Sequence, residues 1–593
     1  MRIFLLLLFF TTAGFSQTVE YQISFKNAVH HEAKITATFP KVETDTLTLR
    51  MSRTSPGRYA LHEFAKNVYG VKAKDSKGQP VQISRPDPYS WQITGHDGTV
   101  KLEYTLFGNR ADGTYTQIDE THAHLNIPAT FMYSEDLKER PVEVNFDLES
   151  QPDWKVATQL KQLDGNKYSA PDLYYFMDSP TEISDYDMRQ FQMDGQNIRF
   201  VLHHQGTEAE LDEYFEKVKK IVAEQKAVFG ELPEFDFGEY TFLACYMPNV
   251  SGDGMEHRNS TILTSTRSLA ESGMDRNIGT VAHEFFHAWN VERLRPLSLE
   301  PFDFTEANMS GALWFAEGFT SYYTPLTLVR GDIISPEEYA KGLNGTFNYV
   351  WNSPGTRYFN PVEMSYQAPF VDAATSVDPV NRENTFISYY SYGSMLGLAL
   401  DLKLRMEGLN LDDYMKLLWE TYGEPEKPYT LEDLESSLAQ YAGKDLARTF
   451  FENYIYDSKM PNYEELFRSV GLKLERGSEK AFFGPSVLED TEGIYISGNP
   501  AQNSPAYKAG LDKGDRILKV NGKELKTEKE WNEILNNSKA GVTLKLEILR
   551  FGTTKKIDVE LEKDPTYSIS LDEQASKAAK KARNKWLGNN LPR

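Results

Sequence analysis

Two histidines and a glutamate form the short motif that could do chemistry in this 593-residue chain, His283-Glu284-Phe-Phe-His287. In a helix, at about 100° per residue, the two imidazoles lie within about 40° of each other, and Glu284 lies at the edge of the same face. Two neutral imidazoles at this spacing suit a zinc ion. A neighbouring carboxylate that does not bind the metal can take a proton from an attacking water. The motif therefore predicts metal-assisted hydrolysis, with His283 and His287 as ligands and Glu284 as the base.

A hydrolytic zinc site needs a third protein ligand and one open position. The metzincin pattern would place histidine at position 293, where this chain has arginine, so a carboxylate is the candidate. The acids that follow the motif are Glu292, Glu300, Asp303, Glu306 and Glu317. Glu306 has the spacing used by aminopeptidase-N-like enzymes, whereas Glu317 lies in an aromatic segment, residues 313–323, that resembles the ligand helix of those enzymes. We choose Glu317 as the third ligand.

The motif has to lie on a helix that packs against a core, and the chain around it has the pattern of a mainly helical domain. Apolar residues in the segment 278–289 cover the side opposite the two histidines. Residues 208–225 have the period of an amphipathic helix, and residues 240–246 have that of a strand. We interpret residues 201–465 as the catalytic domain.

The chain before this domain has the pattern of β structure. In residues 17–200, short runs of alternating apolar and polar residues are separated by turn clusters, which predicts a β-sandwich-like domain. Within it, His122 and His124 lie on one face of a predicted strand, where they could form a metal pair. No third ligand is evident from the sequence, so ordinary polar packing is the favoured interpretation.

The chain after the catalytic domain contains a recognisable module. Residues 504–522 closely resemble the bacterial PDZ pattern, and we interpret residues 470–565 as a PDZ domain. Pro485 follows the expected ligand loop and removes one of the amides that such a loop offers to a peptide C terminus. Binding of a peptide C terminus and intramolecular packing therefore both stay open. Residues 566–593 are predicted to be a basic tail, either solvated or docked as a helix. The predicted fold class is multidomain α+β.

The composition excludes several classes of protein. The net charge of −22 argues against binding to nucleic acids or to anionic membrane surfaces, both of which require basic patches. The only cysteine, Cys245, excludes an intramolecular disulfide framework and cysteine-rich zinc sites. The hydrophobic fraction of 40% is ample for globular folding.

The first residues have the pattern of a cleavable secretory signal, which we assign to residues 1–16. A basic Arg2 precedes an apolar run over residues 3–10, and small residues precede a cut near Ser16. The apolar run is shorter than the ~20 residues that span a bilayer, and no later segment has the composition of a membrane span. We expect a secreted or periplasmic protein.

Three segments taken together resemble the glycyl aminopeptidase family of zinc metallopeptidases: residues 252–260, 283–296 and 313–323. Weaker matches at residues 55–59 and 178–180 extend the resemblance over nearly all of the chain. The resemblance implies an N-terminal β domain, a thermolysin-like catalytic domain and a PDZ domain, with Zn²⁺ as the cofactor.

The resemblance also implies roles for residues outside the zinc motif. Gly254, Met255 and Glu256 match a motif that holds the free amine of a substrate in related aminopeptidases, although this chain has one residue fewer between the glycine and the methionine. Tyr390 takes the position of a tyrosine that donates to the oxyanion. Tyr389 and Tyr392 stay open as alternative donors, since Tyr392 replaces the family's lysine.

The sequence therefore predicts a secreted zinc-dependent aminopeptidase that hydrolyses peptides with a free N terminus. The resemblance implies a preference for small N-terminal residues, glycine and alanine first. Two alternatives remain. One is a thermolysin-like zinc endopeptidase, which would not require a free amine. The other is a PDZ-based peptide-binding protein with an inactive peptidase domain.

Overall fold

The computed structural model describes residues 17–371, 378–477 and 480–588. The predicted signal segment, residues 1–16, lies outside the described residues. No helix in the described ranges combines the length and the apolar character that crossing a bilayer requires. The predicted multidomain α+β class is confirmed: a β-rich region comes first, a mainly helical region follows, and a PDZ domain lies towards the C terminus.

The N-terminal region consists of three sheets around one hydrophobic core. In the first strand, apolar residues alternate with polar ones, and the apolar side chains are the buried ones, as expected for a sheet with one solvated face. The strands of the seven-stranded sheet are Val19–Asn27, Glu32–Phe39, Val68–Lys74, Val100–Phe107, Val142–Asp147, Lys161–Asp164 and Lys167–Ala170. The strands of the three-stranded sheet are Thr46–Arg50, Gln82–Ser84 and Ser90–Thr94. The strands of the four-stranded sheet are Gln117–Ile118, His122–Leu125, Lys155–Thr158 and Thr181–Ser184.

A five-stranded sheet opens the catalytic region. In spatial order its strands are Asp187–Met193, Gln196–His204, Glu239–Tyr246, Ser260–Thr264 and Asp253–His257. The last of these, which we call the edge strand, runs antiparallel to Ser260–Thr264 at one end of the sheet. The edge strand therefore has one side free of strand neighbours, and the zinc-motif helix packs beside it.

Helices make up most of the rest of this region. The predicted helix near residue 208 is confirmed: it begins with a capping box between Thr207 and Glu210 and ends at Gly230, whose φ is +93°. The α-helices that follow are Met274–Arg276, Ile278–Phe286, Leu313–Arg330, Pro336–Trp351, Pro361–Ser365, Ala368–Val371, Arg382–Thr385, Tyr389–Met406, Leu411–Leu418, Leu431–Ala442, Lys444–Phe450 and Tyr463–Ser469.

Three of these helices position the candidate site. We call Ile278–Phe286 the motif helix, Leu313–Arg330 the glutamate helix and Tyr389–Met406 the tyrosine helix. Gly318 and Gly393 allow the last two helices to cross with their backbones in contact, since a Cβ on either residue would overlap the other backbone. This close crossing brings the first turn of the tyrosine helix next to the middle of the glutamate helix.

The PDZ domain has its own hydrophobic core, formed by residues between 483 and 561. Its main strands are Val487–Asp490, Gly493–Ile496, Arg516–Val520, Lys523–Glu524, Thr543–Arg550 and Thr553–Glu560. Its helices are Pro505–Lys508 and Glu528–Asn537, and the short strands Ala481–Phe482 and Glu562–Lys563 pair with each other.

The segments on both sides of the PDZ domain belong to the catalytic region. Of the two forms predicted for residues 566–593, solvated or docked as a helix, the structure has the docked one. Strand Leu472–Arg476 pairs with Tyr567–Leu571, and helix Lys577–Leu587 follows. Trp586 is fully buried, and its Nε1–H donates a hydrogen bond to Tyr322 Oη. The basic residues of this helix are exposed or partly exposed, and Arg583 donates a hydrogen bond to Gly471 O at 3.0 Å. The PDZ domain is therefore an insertion within the catalytic region.

Candidate active site

The structure brings His283, His287 and Glu317 together at the meeting point of the motif helix and the glutamate helix. Their ligand atoms lie within 4.8 Å of one another. Glu317 Oε2 is 3.5 Å from His283 Nε2 and 3.2 Å from His287 Nε2, and the two Nε2 atoms are 3.2 Å apart. The helix begins at Ile278 and ends at Phe286, so His287 is its C-terminal cap residue.

The second nitrogen of each histidine is held by the protein. His287 Nδ1–H donates to the carbonyl oxygen of Asn290 at 2.6 Å, so Nε2 is the nitrogen that faces His283 and Glu317. Asn290 is itself fixed, because its amide donates to Ala316 O at 3.0 Å. His283 Nδ1 lies 3.3 Å from Thr324 Oγ1. Contacts of this kind set the tautomer and the ring orientation that a metal ligand needs.

Glu317 has one oxygen that is held and one that is not. The hydroxyl of Tyr59 donates to Oε1 at 2.9 Å. Oε2, which faces the two imidazoles, is buried and has no hydrogen-bond partner within the described part of the chain. Although burial alone would raise the pKa of Glu317, the two histidines lower it well below its ordinary value. An ionised, unsatisfied carboxylate oxygen beside two imidazoles is a ligand set that fits a zinc ion.

Glu284 points from the motif helix towards the backbone of the edge strand. A Cβ on Gly254 would overlap Glu284 Oε1, so the glycine leaves the space that this carboxylate occupies. Burial raises the pKa of Glu284 well above its ordinary value, His287 opposes the shift, and Glu256 and Glu317 add to it. The carboxyl group is therefore placed and tuned to hold a proton.

Glu256 lies on the inner side of the site. Its carboxylate forms a group with Glu284 and His287 in which the ligand atoms lie within 4.8 Å of one another. The residue is 5% exposed, and burial raises its pKa. Although burial lowers the pKa of His287, the surrounding carboxylates, Glu317 first, raise it to about 10, so without a metal the imidazole carries a proton that a bound cation would displace. The site therefore carries more acidic than basic groups, which favours a cation.

The N-terminal region contributes a loop to this site, which sequence analysis did not foresee. Arg58 forms an ion pair with Asp253 of the edge strand, and its Nε–H donates to Thr114 Oγ1 at 2.7 Å. Gly57, with φ of +77°, packs so closely that an added Cβ would lie 2.9 Å from Glu256 Oε2. The segment 55–59 had matched the family pattern, but no local spacing linked it to the zinc motif.

Met255 lies between the edge strand and the N-terminal region. It is 2% exposed, and a Cβ on Gly57 would overlap its sulfur. The Gly113 loop packs against it as well. The structure thus brings Gly254 and Glu256 to the site, while Met255 holds the edge strand against the N-terminal region.

Of the three candidate tyrosines, Tyr390 lies beside the histidines. Its ring centroid is 5.9 Å from that of His283. Burial raises its pKa well above the ordinary value, and Glu317 adds to the shift, so the phenol keeps its proton. The ring of Tyr389 is tilted against that of Tyr390 at a centroid distance of 4.8 Å and meets that of Tyr59 edge-on at 6.3 Å. Tyr392 is 1% exposed and packs in the hydrophobic core of the helical region.

The rival carboxylates do not reach the histidine pair. Glu300, Asp303 and Glu306 are all exposed, and they lie on a segment whose Phe304 packs in the N-terminal core. Glu292 is partly exposed and belongs to none of the described groups of metal ligands. Among the acids weighed from the sequence, only Glu317 approaches both imidazoles in the described part of the chain.

Family comparisons match most of the chain. The model of the Peptidase M61 N-terminal domain matches residues 20–185, that of M61 glycyl aminopeptidase matches residues 276–396, and that of the PDZ domain matches residues 472–561. The second match spans the motif helix, Glu317 and Tyr390. The predicted resemblance to this family, with a C-terminal PDZ domain, is confirmed.

Solved structures and curated relatives add to this picture. An aminopeptidase N family protein from Idiomarina loihiensis superposes with a TM-score of 0.84 at 24% identity, covering 96% of this chain and 100% of that one, which shows the same fold. Serine endoprotease DegS of Haemophilus influenzae is 39% identical over 74 residues, 12% of this chain and 22% of that protein. Serine protease Do-like HtrB of Bacillus subtilis is 36% identical over 80 residues, 13% and 17% of the two chains. The chain thus spans about a fifth of the curated relatives it matches.

Proposed function

Because this chain belongs to the glycyl aminopeptidase family of zinc metallopeptidases, we propose that it removes residues from the N terminus of peptides. The observation that supports this activity is the position of Glu256. Its carboxylate lies in one group with Glu284 and His287, next to the imidazoles that would hold the metal. A negative group fixed so close to the reaction centre suits a substrate whose ammonium group is one residue away from the scissile bond.

We propose His283, His287 and Glu317 as the zinc ligands. The free Oε2 of Glu317 and the oriented Nε2 of His287 support this assignment. When bound there, zinc would act as a Lewis acid that polarises the scissile carbonyl and lowers the pKa of the attacking water. Tyr59 acts through Glu317, because its hydrogen bond to Oε1 directs Oε2 towards the histidines.

Glu284 moves the proton in this mechanism. Its carboxylate takes the proton of the attacking water and then passes it to the leaving amine. The raised pKa that burial gives to Glu284 supports the second step, because a carboxyl with a high pKa retains a proton long enough to deliver it. Gly254 keeps the space around this carboxylate free of side chains.

Tyr390 stabilises the charge that develops on the scissile carbonyl. Its phenol stays protonated and lies beside His283, so it can donate a hydrogen bond to the oxygen that becomes negative. The buried position of Tyr392 in the helical core supports Tyr390 over Tyr392 for this role.

We propose glycine and alanine as the preferred N-terminal residues, supported by the family resemblance. The experiment that tests the exopeptidase assignment compares a set of peptides with free and with acetylated N termini, digested with and without zinc. We expect zinc-dependent release of single N-terminal residues from the free peptides only. Internal cleavage of acetylated peptides at an equal rate would contradict the assignment and favour the endopeptidase.

Export and the role of the PDZ domain complete the proposal. The apolar run at residues 3–10 supports export to the periplasm or the medium.

For the PDZ domain, contacts with the catalytic region support intramolecular packing: Asn384 donates to Pro500 O at 3.2 Å, and Gln502 N–H donates to Asn384 Oδ1 at 2.6 Å. A peptide C terminus stays the alternative ligand of this domain.

A further inference from the structure

A second group of metal-ligand side chains lies where the N-terminal region meets the catalytic sheet. It shares no residue with the candidate active site. We call it the interdomain cluster, and it consists of His122, Glu182, His203 and Cys245. His122 and Glu182 lie on adjacent strands of the N-terminal region, and His203 and Cys245 lie on adjacent strands of the catalytic sheet.

Three residues of the interdomain cluster form a compact ligand set, and Glu182 lies beside them. Ligand atoms of His122, His203 and Cys245 lie within 4.8 Å of one another. Cys245 Sγ is 3.4 Å from His203 Nδ1, and Glu182 Oε1 is 3.7 Å from the same nitrogen. The four residues are between 0% and 4% exposed. Two imidazoles, a thiolate and a carboxylate are donors that tetrahedral zinc accepts.

Two atoms of this cluster are buried without a partner. His122 Nε2 and Glu182 Oε1 have no hydrogen bond to any residue that the structure describes. A buried polar atom left in this state costs about 1–3 kcal/mol, so each such atom calls for an explanation. A cation bound among these side chains would give both atoms a partner.

The opposite ends of the same side chains are fixed. His122 Nδ1 lies 3.0 Å from Thr121 Oγ1, and Glu182 Oε2 lies 2.9 Å from His124 Nδ1. His124 Nε2–H donates to Asp112 O at 2.9 Å, so both of its nitrogens are used in ordinary hydrogen bonds. The two histidines of the predicted pair therefore have different roles. His124 holds Glu182 by a hydrogen bond, whereas His122 offers its unpartnered Nε2 to the cluster.

Burial sets the charge states of the cluster in the absence of a metal. Burial lowers the pKa of His122 to about 4, so its imidazole is neutral near pH 7 and offers a lone pair. Burial raises the pKa of the Cys245 thiol, which a bound cation would reverse because thiolates coordinate metals strongly. A surface cleft of about 420 Å³ reaches His203 and gives a path from solvent.

We propose that the interdomain cluster binds a divalent cation of the zinc class through His122 Nε2, Glu182 Oε1, His203 Nδ1 and Cys245 Sγ. The ion would join the N-terminal region to the catalytic sheet, with two ligands from each side. Since Tyr59 and Arg58 reach the active site from the N-terminal region, the ion would also hold that region in the position from which they act.

Cobalt substitution of the full-length protein tests this site directly. Cys245 is the only cysteine of the chain, and the candidate active site contains none, so a thiolate-to-cobalt charge-transfer band can arise only from the interdomain cluster. We expect that band after metal-free protein is reconstituted with Co²⁺, and two zinc ions per chain by elemental analysis. Absence of the band from folded protein, or its appearance only with a large excess of cobalt, would overturn the proposal.

Two variants separate this site from the catalytic one. Cys245→Ser should lose the band and one zinc per chain, whereas Glu317→Gln should keep the band while the other zinc is lost. In the Glu317→Gln protein a chelator should still lower the melting temperature. If no thermal shift and no band are found there, the cluster is ordinary polar packing. The cobalt spectrum of the wild-type protein tests the proposal even if Cys245→Ser does not fold. Neither the charge-transfer band nor the melting temperature depends on peptidase activity.

Discussion

The hydroxyl of Tyr59 donates a hydrogen bond of 2.9 Å to Glu317 Oε1 across 258 residues of sequence. One residue belongs to the N-terminal β region and the other to the glutamate helix of the catalytic region. The third candidate zinc ligand is therefore oriented by a different domain. Docking of the N-terminal region is in this sense part of building the metal site.

Tyr59→Phe should weaken zinc binding while the fold is kept. Partners that orient a metal ligand typically contribute roughly 10–100-fold in metal affinity or activity, so we expect a loss of that size in a competition titration with a chromophoric chelator. Tyr133→Phe is a matched control, since that buried hydroxyl in the same region has no partner among the described residues. Equal zinc affinity in both variants would show that the Tyr59 hydrogen bond does not orient Glu317.

Glu284→Gln should keep zinc and lose turnover. The amide has nearly the same shape but cannot take a proton, and removal of a general acid–base typically costs roughly 10²–10⁴-fold in rate. The measurement is kcat on a dipeptide amide, together with zinc content by elemental analysis. A variant that holds zinc and turns over at the wild-type rate would exclude Glu284 as the base.

Tyr390→Phe should lower kcat strongly with little change in KM. Loss of one oxyanion donor typically costs roughly 10²–10³ in kcat, because the hydrogen bond is made mainly in the transition state. Tyr392→Phe, two residues further on the same helix and buried in the core, is the control and should keep its activity. The reverse outcome would transfer the role to Tyr392.

Gly254→Ala should disable catalysis through a steric effect on the base. The new Cβ would overlap Glu284 Oε1, so the carboxylate has to move away from its position in the site. Gly252→Ala, two residues earlier, is the control, because the added Cβ would lie 3.9 Å from its nearest contact, Thr264 O. We expect kcat to fall at least tenfold in the first variant and to change little in the second, with zinc content equal in both.

Glu256→Gln should penalise substrates with a free amine. Hydrogen bonds to charged groups contribute about 1.5–3 kcal/mol, which corresponds to about one to two decades in kcat/KM. Acetylated peptides, which lack the ammonium, should be poor substrates for both proteins. If the variant and the wild type have the same kcat/KM on free peptides, Glu256 does not hold the amine.

The sequence was most informative where function depends on neighbouring residues in one helix. The histidine pair and the aromatic segment around Glu317 could be recognised because helical spacing and local composition carry that information. The contact of Tyr59 with Glu317 could not be recognised, since no local period reports a pairing between distant segments. For the same reason the interdomain cluster could not be recognised from the sequence, since its ligands come from four different strands.

The C-terminal segment shows a second limit of sequence reasoning. Five of the 11 residues in 577–587 are lysine or arginine, so the sequence left both a solvated tail and a docked helix open. A single large side chain, Trp586, anchors the helix to the catalytic region, because it fills the core between helices of that region. Pairing of Leu472–Arg476 with Tyr567–Leu571 is equally hidden, since an entire domain lies between the two strands.

The insertion of the PDZ domain sets an order of events during synthesis. Chains emerge from the N terminus, and domains tend to fold as they emerge. Strand Leu472–Arg476 pairs with Tyr567–Leu571, so this pairing cannot form until the whole PDZ domain has been synthesised. Trp586 is synthesised after that strand. The core beneath the glutamate helix therefore stays incomplete at a stage when the N-terminal and PDZ regions can already fold. A ribosome-bound or partly translocated chain would therefore lack a finished peptidase, and activity would begin only after the segment beyond the PDZ domain has docked.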